Sequence, residues 1–331
     1  MNILLYCESN FNLESLKDNK LGGVESLNLI LAISLAKKGF NITLGSICKK
    51  KNSKYKIKNI PIYIIKKNSD KFHFDTIISS NDASIFSFFK ESKKIFWLHN
   101  VLQVEKAIRK KQFFHIIKNN PISVFVSKYL QLKTSRLFLL KKKIVISNFL
   151  LPSFLNKKIN YNRKPIFIWS VQRDKGLDEV IDNWINNIFP INNTAKFHIY
   201  GINRFHNKND NKYFLSKNII FKGRVNKTVL KRDYNKATAM ICLGFDETFC
   251  LNALEANACG LPILTFGKTA LKNYVKHSYN GILVKNYADL SKNILRLAQK
   301  KNIHKKLISN SVIASKKYHI ELILKKWLKI L

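Results

Sequence analysis

The chain has 331 residues, 46% of them apolar, and carries 59 Lys and Arg against 20 Asp and Glu, a formal net charge of +39. Such apolar content excludes a disordered chain, and the length suggests two domains rather than one. The cations are spread evenly, with 27 against 9 acidic residues in positions 1–150 and 32 against 11 in the remainder.

That spread leaves two readings of the charge, a bias of composition or an attraction to an anionic membrane surface. A nucleic-acid binder would also be basic, but no zinc-finger spacing or RNA-recognition signature accompanies the charge, so nucleic acid is not expected as a partner. Five cysteines, Cys7, Cys48, Cys242, Cys250 and Cys259, are an odd number without C-x-x-C spacing and read as reduced cytosolic thiols. Met1 leads straight into a strand rather than a signal peptide, and no apolar run reaches the roughly 18 residues needed to span a bilayer. A cytoplasmic protein is expected, soluble or peripheral on the inner membrane.

In chain order, Asn2 to Cys7 reads as a strand. A helix over Val24–Lys38 follows, with Leu27, Ile30, Leu31 and Leu35 at helical spacing, then a stop at Gly39 and a strand over Asn41–Ile47. Gly22 and Gly23 at the helix N-terminus permit close approach of an anion, or make a plain turn. Neither G-x-G-x-x-G nor an acidic residue after the second strand is present, and Lys49–Lys51 follow instead, which disfavours a dinucleotide. Strands are predicted at Ile60–Ile65, Thr76–Ser79 and Ile95–Leu98, the last ending in Trp97-Leu98-His99-Asn100. A His at that end of a sheet strand faces the ligand crevice, though a solitary His is more often structural.

The segment Gln103–Lys118 mixes Arg109, Lys110 and Lys111 with Phe113, Phe114, Ile116 and Ile117, a helix that suits either an anionic lipid surface or plain solvent. Ser123–Ser127 and Lys143–Ser147 close a first doubly wound domain over 1–150, and Phe149–Pro165 is a polar linker without periodicity.

A second domain, 165–310, opens with a strand over Ile166–Val171 and a turn carrying Arg173 and Lys175, two cations able to neutralise a diphosphate. A helix over Asp178–Ile188 and strands over Lys196–Gly201 and Asn218–Gly223 follow. Next comes the most informative stretch, Asp246 to Pro262, DETFCLNALEANACGLP, between the apolar runs Ala239–Leu243 and Ile263–Phe266. It reads as strand, turn, helix over Thr248–Ala258, a glycine cap at Gly260, and strand. Such a helix aims unpaired N–H groups at the ligand crevice, and a phosphate is its natural guest. In a helix the eight residues from Glu247 to Glu255 span roughly 12 Å and turn about 80°, a ruler that suits a nucleoside diphosphate sugar. Ala288–Gln299 is a further helix. In the last segment, 311–331, the stripe Ile320, Ile323, Leu324, Trp327, Leu328 and Leu331 suits a return onto the first domain or a membrane surface.

On the E-x7-E pattern of Glu247 and Glu255 and the run E-T-F-C-L-N-A-L-E-A-N-A-C-G-L-P, the chain resembles glycosyltransferase family 4 (group 1), retaining enzymes of GT-B architecture with two Rossmann-like α/β domains. The resemblance implies that Glu247 lies by the transferred sugar, that Glu255 holds the ribose hydroxyls, and that the amides of Phe249, Cys250 and Leu251, beside Thr248, hold the diphosphate of a UDP-sugar or GDP-sugar. It further implies diphosphate contacts from Lys175 and Arg173, a glycine element at Gly22 and Gly23, and His99 near the reacting sugar between the domains. Cys250 stands where many members have Gly, Ser170 where an Arg is common, and Phe149 where Pro-Asn-Gly ends in Gly. No D-x-D motif occurs, in line with a reaction that needs no metal and no cofactor. The implied acceptor is a glycan or lipid-linked saccharide, as in lipopolysaccharide or other cell-surface polysaccharide synthesis. A nucleotide-sugar epimerase of the same fold is the competing reading.

Overall fold

The computed structural model describes residues 1–7, 21–46, 55–57, 60–64, 73–155, 159–202, 208–299 and 301–331. The polar loop before Lys20, the end of the second strand at Ile47, the Lys49–Lys51 run and Ile65 lie outside the described residues. The chain divides into two compact units, Met1–Leu151 with Ile320–Leu331, and Pro152–His319.

The first unit is built on an eight-stranded sheet ordered β3-β4-β2-β1-β5-β6-β7-β8. These strands are β1 (Asn2–Cys7), β2 (Asn41–Ser46), β3 (Tyr55–Ile57), β4 (Ile60–Ile64), β5 (Thr76–Ser80), β6 (Lys93–Leu98), β7 (Ile122–Phe125) and β8 (Lys143–Val145). All pairings are parallel except β3 with β4, a hairpin that the sequence pattern did not suggest. The central strands are unbroken apolar runs because both faces are covered; Ile3, Leu4, Leu5, Ile77, Ile78 and Ile95 are fully buried. The sheet reverses direction of winding between β1 and β5, where helix α1 (Gly23–Ala36) is tied to β5 by Asn28 Nδ2 donating to Ser80 Oγ at 2.9 Å.

The expected helix over 103–118 is two helices, α2 (Val104–Arg109) and α3 (Phe113–Asn119), because Lys111 takes a left-handed φ of 56° and breaks the run. Helix α4 (Lys128–Lys133) is capped by Ser127, whose Oγ accepts from the Leu130 amide at 3.1 Å.

The expected terminal segment 311–331 is not one piece. Residues up to His319 belong to the second unit, and only Ile320–Leu331 joins the first. There helix α11 (Ile320–Leu328) places Trp327 edge-on against Trp97, ring centres 4.9 Å apart, and Lys93 Nζ donates to the Leu331 carbonyl at 3.0 Å.

The second unit carries a six-stranded parallel sheet ordered β11-β10-β9-β12-β13-β14. Its strands are β9 (Ile166–Trp169), β10 (Lys196–Tyr200), β11 (Ile219–Gly223), β12 (Ala239–Ile241), β13 (Ile263–Thr265) and β14 (Gly281–Leu283). The helices are α5 (Leu177–Asn183), α6 (Lys208–Ser216), α7 (Lys227–Tyr234), α8 (Leu251–Ala258), α9 (Tyr287–Gln299) and α10 (Lys301–Lys316). Helix α5 begins at Leu177 and passes into a π-helical turn over Trp184–Ile188, which seats Trp184 stacked on Phe197 with ring centres 5.1 Å apart. The linker is not featureless either. Arg163 is buried and its Nη1 and Nη2 donate to the carbonyls of Tyr234 at 2.6 Å and Cys259 at 2.9 Å, which satisfies the C-terminal ends of α7 and α8. Burial lowers its guanidinium to about 10. Phe149 and Phe154 are fully buried, so the Phe at the position of the expected hinge glycine is core.

Candidate active site

In the second sheet the order of winding reverses between β9 and β12, so the crevice in which parallel sheets bind ligands opens at their C-terminal ends. Two turns meet there, 170–176 after β9 and 242–250 after β12. Gly176 makes the approach possible. It has φ of 97°, and a Cβ on it would sit 2.7 Å from the Phe245 ring. Lys175 consequently reaches the opposite turn, its Nζ donating to the Asp246 carbonyl at 3.4 Å. Glu247 lies next along, half-buried, its carboxyl held above the usual range by burial against the pull of Lys175, with Asp174 and Asp246 adding to the rise.

Helix α8 starts at Leu251, not at Thr248. The cause is Cys250, which occupies the N-cap in a left-handed conformation, φ 63° and ψ 78°, a geometry that glycine adopts without strain. Glu247 therefore belongs to the turn rather than the helix, and the helical ruler between the two glutamates does not apply. Phe249 packs with Tyr274 and Tyr318 at ring-centre distances of 6.0 and 5.8 Å, and the Tyr274 hydroxyl donates to the Cys250 carbonyl at 3.1 Å. Thr248 is half-buried beside them. Asn252 Nδ2 donates to the Ser170 carbonyl and ties the first turn of α8 to the end of β9.

Glu255 sits one turn into α8, 1% exposed, with Oε1 2.8 Å from Lys227 Nζ. Burial raises its pKa and Lys227 opposes the rise. Its second oxygen, Oε2, is buried and has no hydrogen-bond partner among the described residues. Lys227 was not anticipated. It opens α7, whose signal was Asn226, an N-cap whose Oδ1 accepts from the Val229 amide at 2.9 Å. Arg173, in the same turn, is paired locally: its Nε donates to both Asp178 oxygens at 3.0 and 3.1 Å.

Gly22, Gly23 and His99 belong to the first unit. At the N-terminus of α1 the anion present is internal, since the Glu25 carboxylate folds back over Gly22 where a Cβ would collide with it. His99 is buried behind Trp97, ring centres 4.5 Å apart, and its amide donates to Asn81 Oδ1 at 2.9 Å. Burial lowers the imidazole to about 3, so the ring is neutral at physiological pH. Asn81, in a left-handed conformation with φ 60°, also lines a pocket with Asn100, Gln103, Lys106 and Lys110.

Residues 155–312 match the family model described as glycosyl transferases group 1. An uncharacterized glycosyltransferase of Methanocaldococcus jannaschii, MJ1178, is 28% identical over 233 residues, 67% of this chain and 62% of the relative, so the match spans under two thirds of that protein. Among solved structures, sucrose-phosphate synthase of Thermosynechococcus elongatus superposes with a TM-score of 0.75 at 13% identity, covering 99% of this chain and 98% of the other. HepE of Anabaena, solved with UDP-glucose, gives 0.70 at 16% identity and covers 100% of both. With its two doubly wound sheets the chain has the GT-B fold, and its residues 155–312 carry the match to the glycosyl transferases group 1.

Proposed function

We propose that the protein is a retaining glycosyltransferase that moves a sugar from a UDP-sugar or GDP-sugar to a glycan or lipid-linked saccharide, without a metal. The observation that carries this reading is the crevice between β9 and β12, where Lys175 reaches the turn that leads into α8 and Glu255 is buried within that helix against Lys227. The diphosphate fits against the amides at the start of α8 and the Lys175 ammonium, a dipole and a cation that do the work of a metal as negative charge grows on the leaving group. The ribose diol donates to Glu255 Oε2, with Lys227 keeping the other oxygen occupied. Glu247, at the mouth of the turn, takes the sugar. The acceptor hydroxyl forms its bond to the anomeric carbon on the face from which the diphosphate leaves, and the departing phosphate oxygen receives its proton. HepE supports the donor class, having been solved with UDP-glucose.

The acceptor belongs to the first unit, where His99 presents a neutral imidazole and the pocket lined by Asn81 offers two lysines and four side-chain amides. Residues 101–150 hold eleven Lys and Arg against one Glu, Glu105. The same stretch exposes Phe114 (79%), Leu132 (72%), Leu137 (66%) and Leu139 (73%). Cations amid exposed apolar side chains suit the headgroup layer of an anionic membrane, each well-placed cation adding about 1 kcal/mol. The acceptor is accordingly a saccharide on a lipid carrier, such as a precursor of lipopolysaccharide or another surface polysaccharide, met at the cytoplasmic face of the inner membrane.

Thermal melting in EDTA with a panel of UDP-sugars and GDP-sugars tests the donor site. One sugar nucleotide should stabilise by about 2.7 kcal/mol at a hundredfold excess over Kd. Glu255→Gln should weaken the free nucleoside diphosphate by about 1.5–3 kcal/mol. Stabilisation that needs magnesium or manganese would refute the metal-free reading.

A further inference from the structure

We propose that Cys242, Cys250 and Glu247 together form a binding site for one thiophilic divalent cation of the zinc class, and that filling it shuts the donor site. Their ligand atoms all lie within 4.8 Å of one another, and among the described residues no other three His, Cys, Asp or Glu side chains converge in this way. Cys242 Sγ and Cys250 Sγ are 3.6 Å apart. A tetrahedral ion with metal–sulfur bonds of about 2.3 Å and metal–oxygen bonds of about 2.0 Å sets its sulfurs roughly 3.8 Å apart and each sulfur about 3.5 Å from the oxygen. The two thiols already stand at that spacing.

The backbone fixes them independently of any ion. Cys242 follows β12 and is fully buried, and Cys250 is held at the α8 N-cap with its carbonyl accepting from the Tyr274 hydroxyl at 3.1 Å and the Leu254 amide at 3.3 Å.

 The second of these bonds, from the Leu254 amide at 3.3 Å, is also the first rung of the α8 ladder. Glu247, half-buried at the mouth of the turn, gives an ion its route in. Two sulfurs and one carboxylate favour zinc, cadmium or cobalt over magnesium and calcium, which take oxygen ligands.

Binding displaces one proton from each thiol. The two thiolates and the carboxylate then leave the filled site with a net charge of −1, with water at the fourth vertex. Glu247 is withdrawn from the sugar, and a negative cluster stands beside the place of the diphosphate. Closure of the donor site rests on the function proposed above; the binding of the ion does not.

Cobalt(II) titrated into the reduced full-length chain is the test. A thiolate-to-cobalt charge-transfer band in the near ultraviolet should saturate at one ion per chain, persist in magnesium and be bleached by zinc. Cys242→Ala should abolish it, as should Cys250→Gly, a residue suited to φ 63°, while Cys259→Ala should retain it. No band in the wild-type chain, or a band that survives both variants, overturns the site. Zinc should also lower sugar transfer about a hundredfold, the scale of losing a group that acts in the transition state. Cys242→Ala should transfer sugar at the wild-type rate and ignore zinc. A saturated cobalt band with zinc-insensitive transfer overturns the closure, whereas a band in a chain that transfers no sugar supports the ion site and refutes the function instead.

Discussion

Lys227→Met removes the ammonium facing Glu255 and keeps most of the aliphatic stem. In the wild-type chain the pair is 2.8 Å apart, with Lys227 16% and Glu255 1% exposed, so water cannot replace the lost partner. Leaving one member of a buried pair ionised costs about 3–5 kcal/mol. The carboxyl can instead take a proton, at about 1.36 kcal/mol for each unit by which the pH exceeds its folded pKa. Burial already raises that pKa above the ordinary 4.5, and without Lys227 it rises further. Between the unfolded and the folded pKa the native state holds more protons than the unfolded state, so this group's contribution is fully present below the unfolded value and is lost as pH rises. The variant should therefore nearly match wild type at pH 5 and fall behind by about 3 kcal/mol at pH 8. Calorimetry should show the transition of the second unit lowered by roughly 6–12 °C at pH 8, at about 2–4 °C per kcal/mol for a body of this size. A deficit that stays constant from pH 5 to pH 8, or no deficit, would refute the coupling of this pair.

Three further outcomes are expected. His99 is neutral with a folded pKa of about 3 against 6.5 unfolded, so native chains bind fewer protons in that window and stability rises with pH across it. Wild type should lose about 2 kcal/mol from this residue between pH 6.5 and pH 5, and His99→Gln should remove that slope in urea melts and lower kcat by about 10²-fold. Gly176→Ala forces a Cβ to 2.7 Å from the Phe245 ring at φ 97°, and should destabilise the second unit by about 2–4 kcal/mol in denaturant melts. In vesicle sedimentation the protein should bind anionic vesicles at low salt and leave them at about 1 M, where the Debye length is about 3 Å; Phe114→Asp with Leu137→Asp should weaken binding, and equal binding to neutral vesicles would refute the membrane surface.

The parallel strands were legible because burial on both faces writes an uninterrupted apolar run, as in Ile3 to Leu5 or Ala239 to Ile241. The β3–β4 hairpin left no such mark, since Tyr55–Ile57 is three residues long with a Lys at its centre. Helices α6 and α7 were missed for a related reason. Their sequences, KNDNKYFLS and KTVLKRDY, are mostly polar, and hydrophobic periodicity says little where few residues are apolar. At the site, the motif from Glu247 to Gly260 was readable from local chemistry, but the point at which α8 begins was not, because it depends on Cys250 accepting a left-handed backbone. Lys227 was hidden by distance along the chain: it precedes Glu255 by 28 residues, and only the adjacency of α7 and α8 brings them together. The pairing of Arg173 with Asp178 follows from a turn geometry that residue types do not reveal.

That the first unit takes its last helix from residues 320–331 bears on how the protein is made. Synthesis delivers the strands of that unit first, then all of Pro152–His319, and only afterwards the indole of Trp327 that covers Trp97. At about 5–20 residues per second on the ribosome, the intervening stretch takes roughly 10–30 s. Throughout that interval the second unit can complete its own sheet while the first waits with an apolar face uncovered. The order in which the two domains mature is thus the reverse of the order in which they emerge, and the nascent first unit is the species that a chaperone would have to shield.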